Sequence, residues 1–270
     1  MLTFLFWNMN RKRLVDMIAR LVEDRWVDVL MLAENAAGAV EMLQRLNEGS
    51  PEFHYAPSRA PTAVDVFTRF SGRFLKPTFE SGRVSIRRMA LPARAELLLA
   101  MVHLPSKLYW SEDSQTFECV ELARSIRLEE ERAGHSRTLL IGDLNVDPFE
   151  PGVVSAAGLH GLMTRRLASR KVRTVQGQDY PTFYNPMGGH FGDRTGGPSG
   201  SYYYERAEHK VYFWHLFDQV LIRPDVLDFC PSDPVTIITR VGDTPVLSES
   251  GRPNRSVGSD HLPLLFKLSV

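Results

Sequence analysis

The stretch Thr138-Leu139-Leu140-Ile141-Gly142-Asp143-Leu144-Asn145-Val146-Asp147-Pro148 constrains the chain most. It opens as an apolar run of the length expected for a fully buried strand. It breaks at Gly142, presents a carboxylate (Asp143) and an amide (Asn145), and is ended by Pro148. Asp143 and Asn145 are two apart, so they point the same way while the backbone stays extended. A buried strand that delivers two polar groups at its end can hold catalytic groups rigidly. An ordinary strand-to-loop turn uses the same residue types for backbone reasons, so the remainder of the chain has to decide between the two.

The other apolar runs repeat the pattern. Leu2 to Trp7 reads as a strand and ends in Asn8. A helical stretch from about Arg11 to Glu23 follows, with Leu14, Ile18, Leu21 and Val22 on one face, and Val27 to Ala33 is a second buried strand ending in Glu34. With a short helix over Gly38 to Leu46, the chain begins as a layered α/β structure. Ala63 to Phe70, Phe74 to Phe79, Arg83 to Leu91 and Glu96 to His103 are spaced as hairpin strands, which makes the sheet partly antiparallel, and the last of them ends in His103. Helices are expected over Asp113 to Ala133 and Pro151 to Ala157. Further on, Phe217 to Ile222 is a strand beginning at Asp218, Val235 to Val241 is another, and Ser259-Asp260-His261 precedes an apolar run from Leu262 to Leu268. Between them a Gly- and aromatic-rich loop at about 185–210 is either a connector or a flap over substrate.

Asn8, Glu34, His103 and Asp143 with Asn145 lie at strand ends, whereas Asp218 and Asp260-His261 lie at strand starts. If the last two strands run opposite to neighbours from the first set, all of these groups crowd one edge of the sheets. Glu34, Asp143 and Asp260 are hard oxygen donors, and Asn8 and Asn145 are neutral ones. That set favours Mg²⁺, with Mn²⁺ possible, over Zn²⁺. The histidines add proton-transfer and hydrogen-bonding capacity near neutral pH, and a carboxylate such as Asp218 could fix the tautomer and charge of one of them. Together these parts describe metal-assisted attack of water on a phosphoester.

Composition narrows the setting. The chain has 270 residues, 43% hydrophobic and 24% charged, enough for a sizeable core. Lys+Arg and Asp+Glu balance at 32 each, so no global basic field draws in nucleic acid, although a local basic groove would suffice for an enzyme. The two cysteines, Cys119 and Cys230, are far apart and fit reduced, packed thiols. Basic residues follow rather than precede the apolar start, which is the wrong order for a secretory signal, and no apolar stretch reaches transmembrane length. The expectation is a cytoplasmic protein that makes no use of a membrane.

Phe6-Trp7-Asn8, Val29 to Glu34, Val102-His103-Leu104, Ile141-Gly142-Asp143-Leu144-Asn145, Phe217 to Leu221 and Ser259-Asp260-His261 together resemble the endonuclease/exonuclease/phosphatase superfamily, the DNase-I-like fold. They occur in the family's order and cover nearly the whole chain. The resemblance implies one domain over residues 1–270, a four-layer α/β sandwich of two packed mixed β-sheets flanked by helices. It implies Glu34 as principal Mg²⁺ ligand, Asn8 beside it and Asp260 completing the metal region. Asp143 would orient or deprotonate the attacking water, and Asn145 would hold phosphate or that water. His261 would hydrogen-bond the phosphoryl oxygen, oriented by Asp218, and His103 would act near the leaving oxygen. Lys107, Arg88 and Tyr184 are candidate substrate contacts. The chain departs from many family nucleases in having Asn35-Ala36-Ala37 after Glu34, with no basic residue there, and Gln219 after Asp218, where apolar residues are common.

The expected function is a Mg²⁺-dependent phosphodiesterase on DNA or RNA. The run Arg165, Arg166, Arg170, Lys171 and Arg173 is either a basic groove or a solvated helix end, and Tyr202 to Tyr204 could stack on bases. Hydrolysis of a small phosphoester by the same chemistry, and a non-catalytic binding role for the fold, are the alternatives.

Overall fold

A computed structural model describes residues 1–270 except Pro51, Tyr109, Arg194, Thr195, Glu208 and Val270. The chain opens with β1 (Leu2–Asn8), α1 (Val15–Arg25), β2 (Val29–Ala33) and α2 (Gly38–Leu46). Strands β3 (His54–Tyr55), β4 (Val64–Thr68), β5 (Leu75–Glu80), β6 (Val84–Met89) and β7 (Leu97–His103) follow. Next come α3 (Glu112–Ala133), β8 (Thr138–Asp143), α4 (Pro151–Val154), β9 (Gly161–Leu162) and α5 (Arg165–Ala168). The hairpin β10 (Val172–Val175) and β11 (Gln178–Pro181) leads to β12 (Phe183–Tyr184), β13 (Tyr202–Tyr203), β14 (Trp214–His215) and β15 (Asp218–Ile222). The chain ends with β16 (Val235–Ile237), the pair β17 (Arg240–Val241) and β18 (Thr244–Pro245), and β19 (Leu264–Leu268). The longest helix, α3, carries its own signals. The Ser111 hydroxyl accepts from the Ser114 N–H, Glu112 and Asp113 face the positive end of the helix dipole, and Gly134 closes the helix at φ +71°.

Two sheets dominate. One has the order β16-β19-β1-β2-β4-β3, the other β5-β6-β7-β8-β15-β12-β9. Strand alternation sorts the core into layers. Leu97, Leu99 and Met101 of β7 and Leu139 and Ile141 of β8 join the cluster shared with β1, β2 and β19. Their neighbours Ala100, Val102 and Leu140 face Cys119, Leu122, Ala123 and Ile126 of α3. Ile18, Leu21 and Val22 of α1 pack with the six-stranded sheet. The result is the expected sandwich of two mixed sheets flanked by helices. No helix among the described residues is long and apolar enough to cross a membrane.

The strand directions are those the polar ends require. β15 runs antiparallel to β8 with Asp218 opposite Asp143, and β7 runs parallel to β8 with His103 opposite Asp143. β19 runs antiparallel to β1, which brings the segment before it back to the Asn8 end. One expected strand is divided. Val235 to Val241 pairs in register with β19 only as far as Ile237 opposite Leu264; the Ile238 N–H still donates to the Pro263 carbonyl at 2.8 Å, but Pro263 has no N–H with which to continue the ladder. For the same reason the last strand begins at Leu264 rather than Leu262. The loop at about 185–210 is built partly of structure. Pro186–His190 forms a short 3₁₀ turn and β13 pairs with β14, whereas Arg194, Thr195 and Glu208 lie outside the described residues.

Gly142 carries the junction of β7 and β8. It sits at φ +153°, and a Cβ there would stand 2.0 Å from the Val102 carbonyl oxygen. Gly142→Ala therefore has to push apart the two strands that hold His103 and Asp143. The expected outcome is a loss of about 3 kcal/mol or more in chemical denaturation, at the upper end for single substitutions. A loss below about 1 kcal/mol would show that the strand pair gives way easily.

Candidate active site

Three adjacent strands place His103, Asp143 and Asp218 side by side at one sheet edge, and the other sheet contributes Asn8. Asp143 is buried, and its two oxygens are occupied from different directions. Oδ2 accepts from Asn8 Nδ2 at 2.9 Å, and Oδ1 accepts from the Asn145 N–H at 2.9 Å. His103 Nε2 and His261 Nε2 stand 3.8 and 3.9 Å from Oδ2, so this oxygen lies between two imidazoles. Burial pushes the Asp143 carboxyl above its usual range, with the charge of Asp218 adding to the shift and the two histidines and Asn8 opposing it. A carboxylate shifted in that direction is a stronger base than an exposed one.

His261 Nδ1 is 2.8 Å from Asp218 Oδ2. Burial alone would lower the pKa of this imidazole. The charge of Asp218, the hydrogen bond to it, and the further carboxylates Asp143 and Asp260 outweigh burial and lift the pKa to about 9. That shift favours the protonated imidazole, whose Nε2 stands on the Asp143 side of the ring. The Trp7 indole N–H donates to the His261 carbonyl at 2.8 Å, and the Tyr202 ring lies 4.7 Å from the imidazole. Lys12 from the loop after β1 donates to the Gly258 carbonyl at 2.7 Å and to the Arg255 carbonyl, which fixes the segment leading into Ser259-Asp260-His261.

Glu34 follows β2 at φ +51°, a conformation few non-glycine residues adopt and one that concentrates at functional sites. Its carboxylate is 27% exposed and stands 3.5 Å from both His103 Nε2 and Arg11 Nε. Asp260 pairs with Arg255 at 3.2 Å and accepts from the Ser259 hydroxyl. Asn145, at φ +52°, donates its amide to the Leu104 carbonyl at 2.9 Å, so it ties the β8 turn to the end of β7 as well as holding Asp143. Asn8 spends Oδ1 on the Asn10 N–H. Asn8, Glu34, His103, Asp143, Asn145, Asp218, Asp260 and His261 therefore gather at one edge.

The proposed substrate contacts divide. Lys107 stays at this edge, paired with Glu150 and 5.8 Å from the Phe217 ring. Arg88 does not. It lies opposite Leu98, near the start of β7 and so away from His103, and its guanidinium pairs with Glu96 at 2.7 Å. Tyr184 is buried in β12 opposite Ile222, the end of β15 away from Asp218. The basic run also lies at that far end. Arg165 donates to the carbonyls of Leu227, Cys230 and Pro231, and Lys171 pairs with Asp225 at 2.5 Å. In each case a local run of sequence names the residue type and not the end of the sheet on which it falls.

The structure adds residues with no assigned role in the sequence. Asp147 is fully buried, accepts from the Leu216 N–H at 2.8 Å and holds His215 Nδ1 at 2.8 Å, a second Asp–His pair beside the first. Its signal in sequence was the alternation 143, 145, 147, although the chain has left β8 after Asp143 and turns at Asn145, so no strand face carries Asp147 to His215. Gln219, an oddity in sequence, is explained by its contacts. Its amide donates to the Val146 carbonyl at 2.5 Å and accepts from Asn185 at 2.8 Å, so it clamps the turn that carries Asn145.

No protein-family model matches the chain, and no curated protein matches its sequence. Solved structures do match over its whole length. An AP endonuclease from Archaeoglobus fulgidus is 13% identical with a TM-score of 0.56, with 100% of each chain covered. D. rerio TDP2 complexed with a single-strand DNA product is 16% identical, TM-score 0.55, covering 100% of this chain and 99% of that one. An endonuclease/exonuclease/phosphatase family protein from Leptotrichia buccalis is 12% identical, TM-score 0.54, with 100% of each chain covered. Two mixed sheets back to back, with polar groups from both meeting at one edge, and the match of that arrangement from end to end, give this chain the fold of the endonuclease/exonuclease/phosphatase, or DNase-I-like, superfamily.

Proposed function

We propose that the protein is a divalent-metal-dependent phosphodiesterase that hydrolyses nucleic acid. The observation that carries this reading is the Asp143 carboxylate held between two histidines, one of them hydrogen-bonded from behind by Asp218. Asp143 Oδ2 takes a proton from the attacking water. His261 Nε2–H hydrogen-bonds a non-bridging phosphoryl oxygen, where charge builds up as the water adds. Asp218 holds the imidazole from behind, and His103 gives a proton to the departing ester oxygen. The water's proton thus ends on Asp143, its hydroxyl on phosphorus, and the leaving alcohol carries the proton from His103.

The donor set fits a hard cation. Glu34 keeps its carboxylate partly exposed with no contact shorter than 3.5 Å among the described side-chain charges. Asp218 Oδ1 is buried with no hydrogen-bond partner among the described residues. Both thiols are buried away from this edge, Cys119 of α3 in the core and Cys230 beside Arg165 at the far end, so neither belongs to the donor set. Glu34, with Asn8 and Asp260 nearby, would hold Mg²⁺ or Mn²⁺. When bound, the ion would neutralise phosphate charge and polarise the ester. The names of the matching structures, an AP endonuclease and a TDP2 with a single-strand DNA product, support a nucleic-acid substrate.

Hydrolysis of single- and double-stranded DNA, RNA and a small phosphodiester tests this, each with Mg²⁺ and with EDTA. The expected result is cleavage of a polymer that stops in EDTA and returns with excess Mg²⁺ or Mn²⁺. Equal rates in EDTA would remove the metal from the reading. Cleavage of the small diester alone would move the substrate to a small phosphoester.

A further inference from the structure

Beside the catalytic edge lies a groove of about 580 Å³, walled by Tyr203, Tyr204, Arg206, Arg252 and Arg255 and opening onto Asp260. We propose, building on the phosphodiesterase reading above, that this groove is a subsite for unpaired nucleotides adjoining the scissile phosphate, so that the substrate is a single strand or a frayed end. The walls offer flat faces rather than donors in a row. The Arg252 guanidinium lies 4.4 Å from the Tyr203 ring centroid, and the Arg206 guanidinium lies 5.4 Å from that of Tyr204. Glu205 holds Arg252 at 2.8 Å, and Trp214 meets Tyr203 edge-on at 5.3 Å, so the Tyr203 pair is propped from two sides. A base stacks on such aromatic and guanidinium planes whatever its identity.

The groove is continuous with the reaction centre. Tyr202, the first tyrosine of the run, pairs through its backbone with His261 and packs on its ring, and Arg255 sits on Asp260. A strand whose phosphate lies at His261 therefore passes its next phosphate to Arg255 and its next base to Tyr203. Paired bases bury their faces in the helix stack and present only edges, which this groove has few groups to read. A duplex also needs positive charge along two backbones. Here Lys+Arg equal Asp+Glu at 32 each, and the basic run around Arg165 lies at the other end of the sheet.

The test uses the full chain carrying Asp143→Asn, with a labelled single-stranded oligonucleotide of about eight nucleotides, read by fluorescence anisotropy. Adding Tyr203→Ala or Arg252→Ala is expected to weaken binding about tenfold, within the range for one stacked base. Tyr203→Phe keeps the ring and is expected to stay within about twofold of the parent. A blunt duplex of the same sequence is expected to bind more weakly than the single strand. In the otherwise native chain, KM for the single strand rises by the same factor relative to KM for a small diester. Unchanged binding in Tyr203→Ala and Arg252→Ala overturns the inference, as does duplex binding as tight as single-strand binding. Arg252 is half exposed, so its variant reports even if Tyr203→Ala fails to fold. Tyr203-dependent binding without hydrolysis would support the groove and sink the hydrolase reading, whereas hydrolysis without Tyr203 dependence would do the reverse.

Discussion

Asp143→Asn is expected to lower kcat by roughly 10²–10⁴-fold on any phosphodiester the protein cleaves, with KM little changed. The substitution preserves shape and removes the base. It also disturbs two bonds, because each Asp143 oxygen accepts from a donor. The amide oxygen can keep the Asn145 N–H, but the new NH₂ then faces the Asn8 amide, whose own oxygen is committed to the Asn10 N–H. A modest stability loss of about 1–2 kcal/mol accompanies the kinetic effect for that reason. Steady-state kinetics with parallel denaturation curves separate the two. If kcat falls less than about tenfold in a folded variant, Asp143 is a structural carboxylate and the base lies elsewhere.

Arg223→Ala is expected to cost about 3–5 kcal/mol and to lower Tm by about 10 °C. Arg223 follows β15 and is buried against α3, where its guanidinium makes paired bonds of 2.8 and 3.1 Å to Glu130. It also donates to the Thr182 carbonyl at 3.0 Å and lies 3.8 Å from the Phe183 ring centroid. Thr138, the first residue of β8, donates to the same carboxylate at 2.6 Å. One ion pair thus joins α3, β8, β12 and β15 at the end of the sheet away from the site. Burial lowers the pKa of Arg223, and Glu130 only partly restores it, a sign that desolvation is severe here. Removing the cation leaves Glu130 buried with one hydroxyl for company, and that unpaired charge is the source of the loss. Combining Arg223→Met with Glu130→Leu is expected to recover most of it, because apolar replacement of both partners removes the desolvation cost as well as the attraction. A single-variant loss under about 1 kcal/mol in thermal and urea unfolding would mean that water reaches the pair.

The lengths of the apolar runs and the polar residue at the end of each are local properties, and they were legible. Asn8, Glu34, His103, Asp143, Asn145, Asp218, Asp260 and His261 meet because each caps or opens a buried strand, and strand direction follows from connectivity once β15 and β19 run antiparallel to their neighbours. The apolar face of Leu14, Ile18, Leu21 and Val22 likewise marked α1, and helical stretches were expected where α2 and α3 lie, as was the layered order of the fold. What the tertiary structure alone decided is which end of a sheet, and which face of a loop, each remaining side chain reaches. Arg88, Tyr184 and the run from Arg165 have the right chemistry for a substrate but fall at the far end, where Glu96, Ile222 and Asp225 hold or face them. Tyr202 on His261, Lys12 under Gly258 and Asp147 on His215 join residues separated by tens to hundreds of positions through loops. No period or spacing encodes such contacts, because they depend on how two sheets pack and where their connections return.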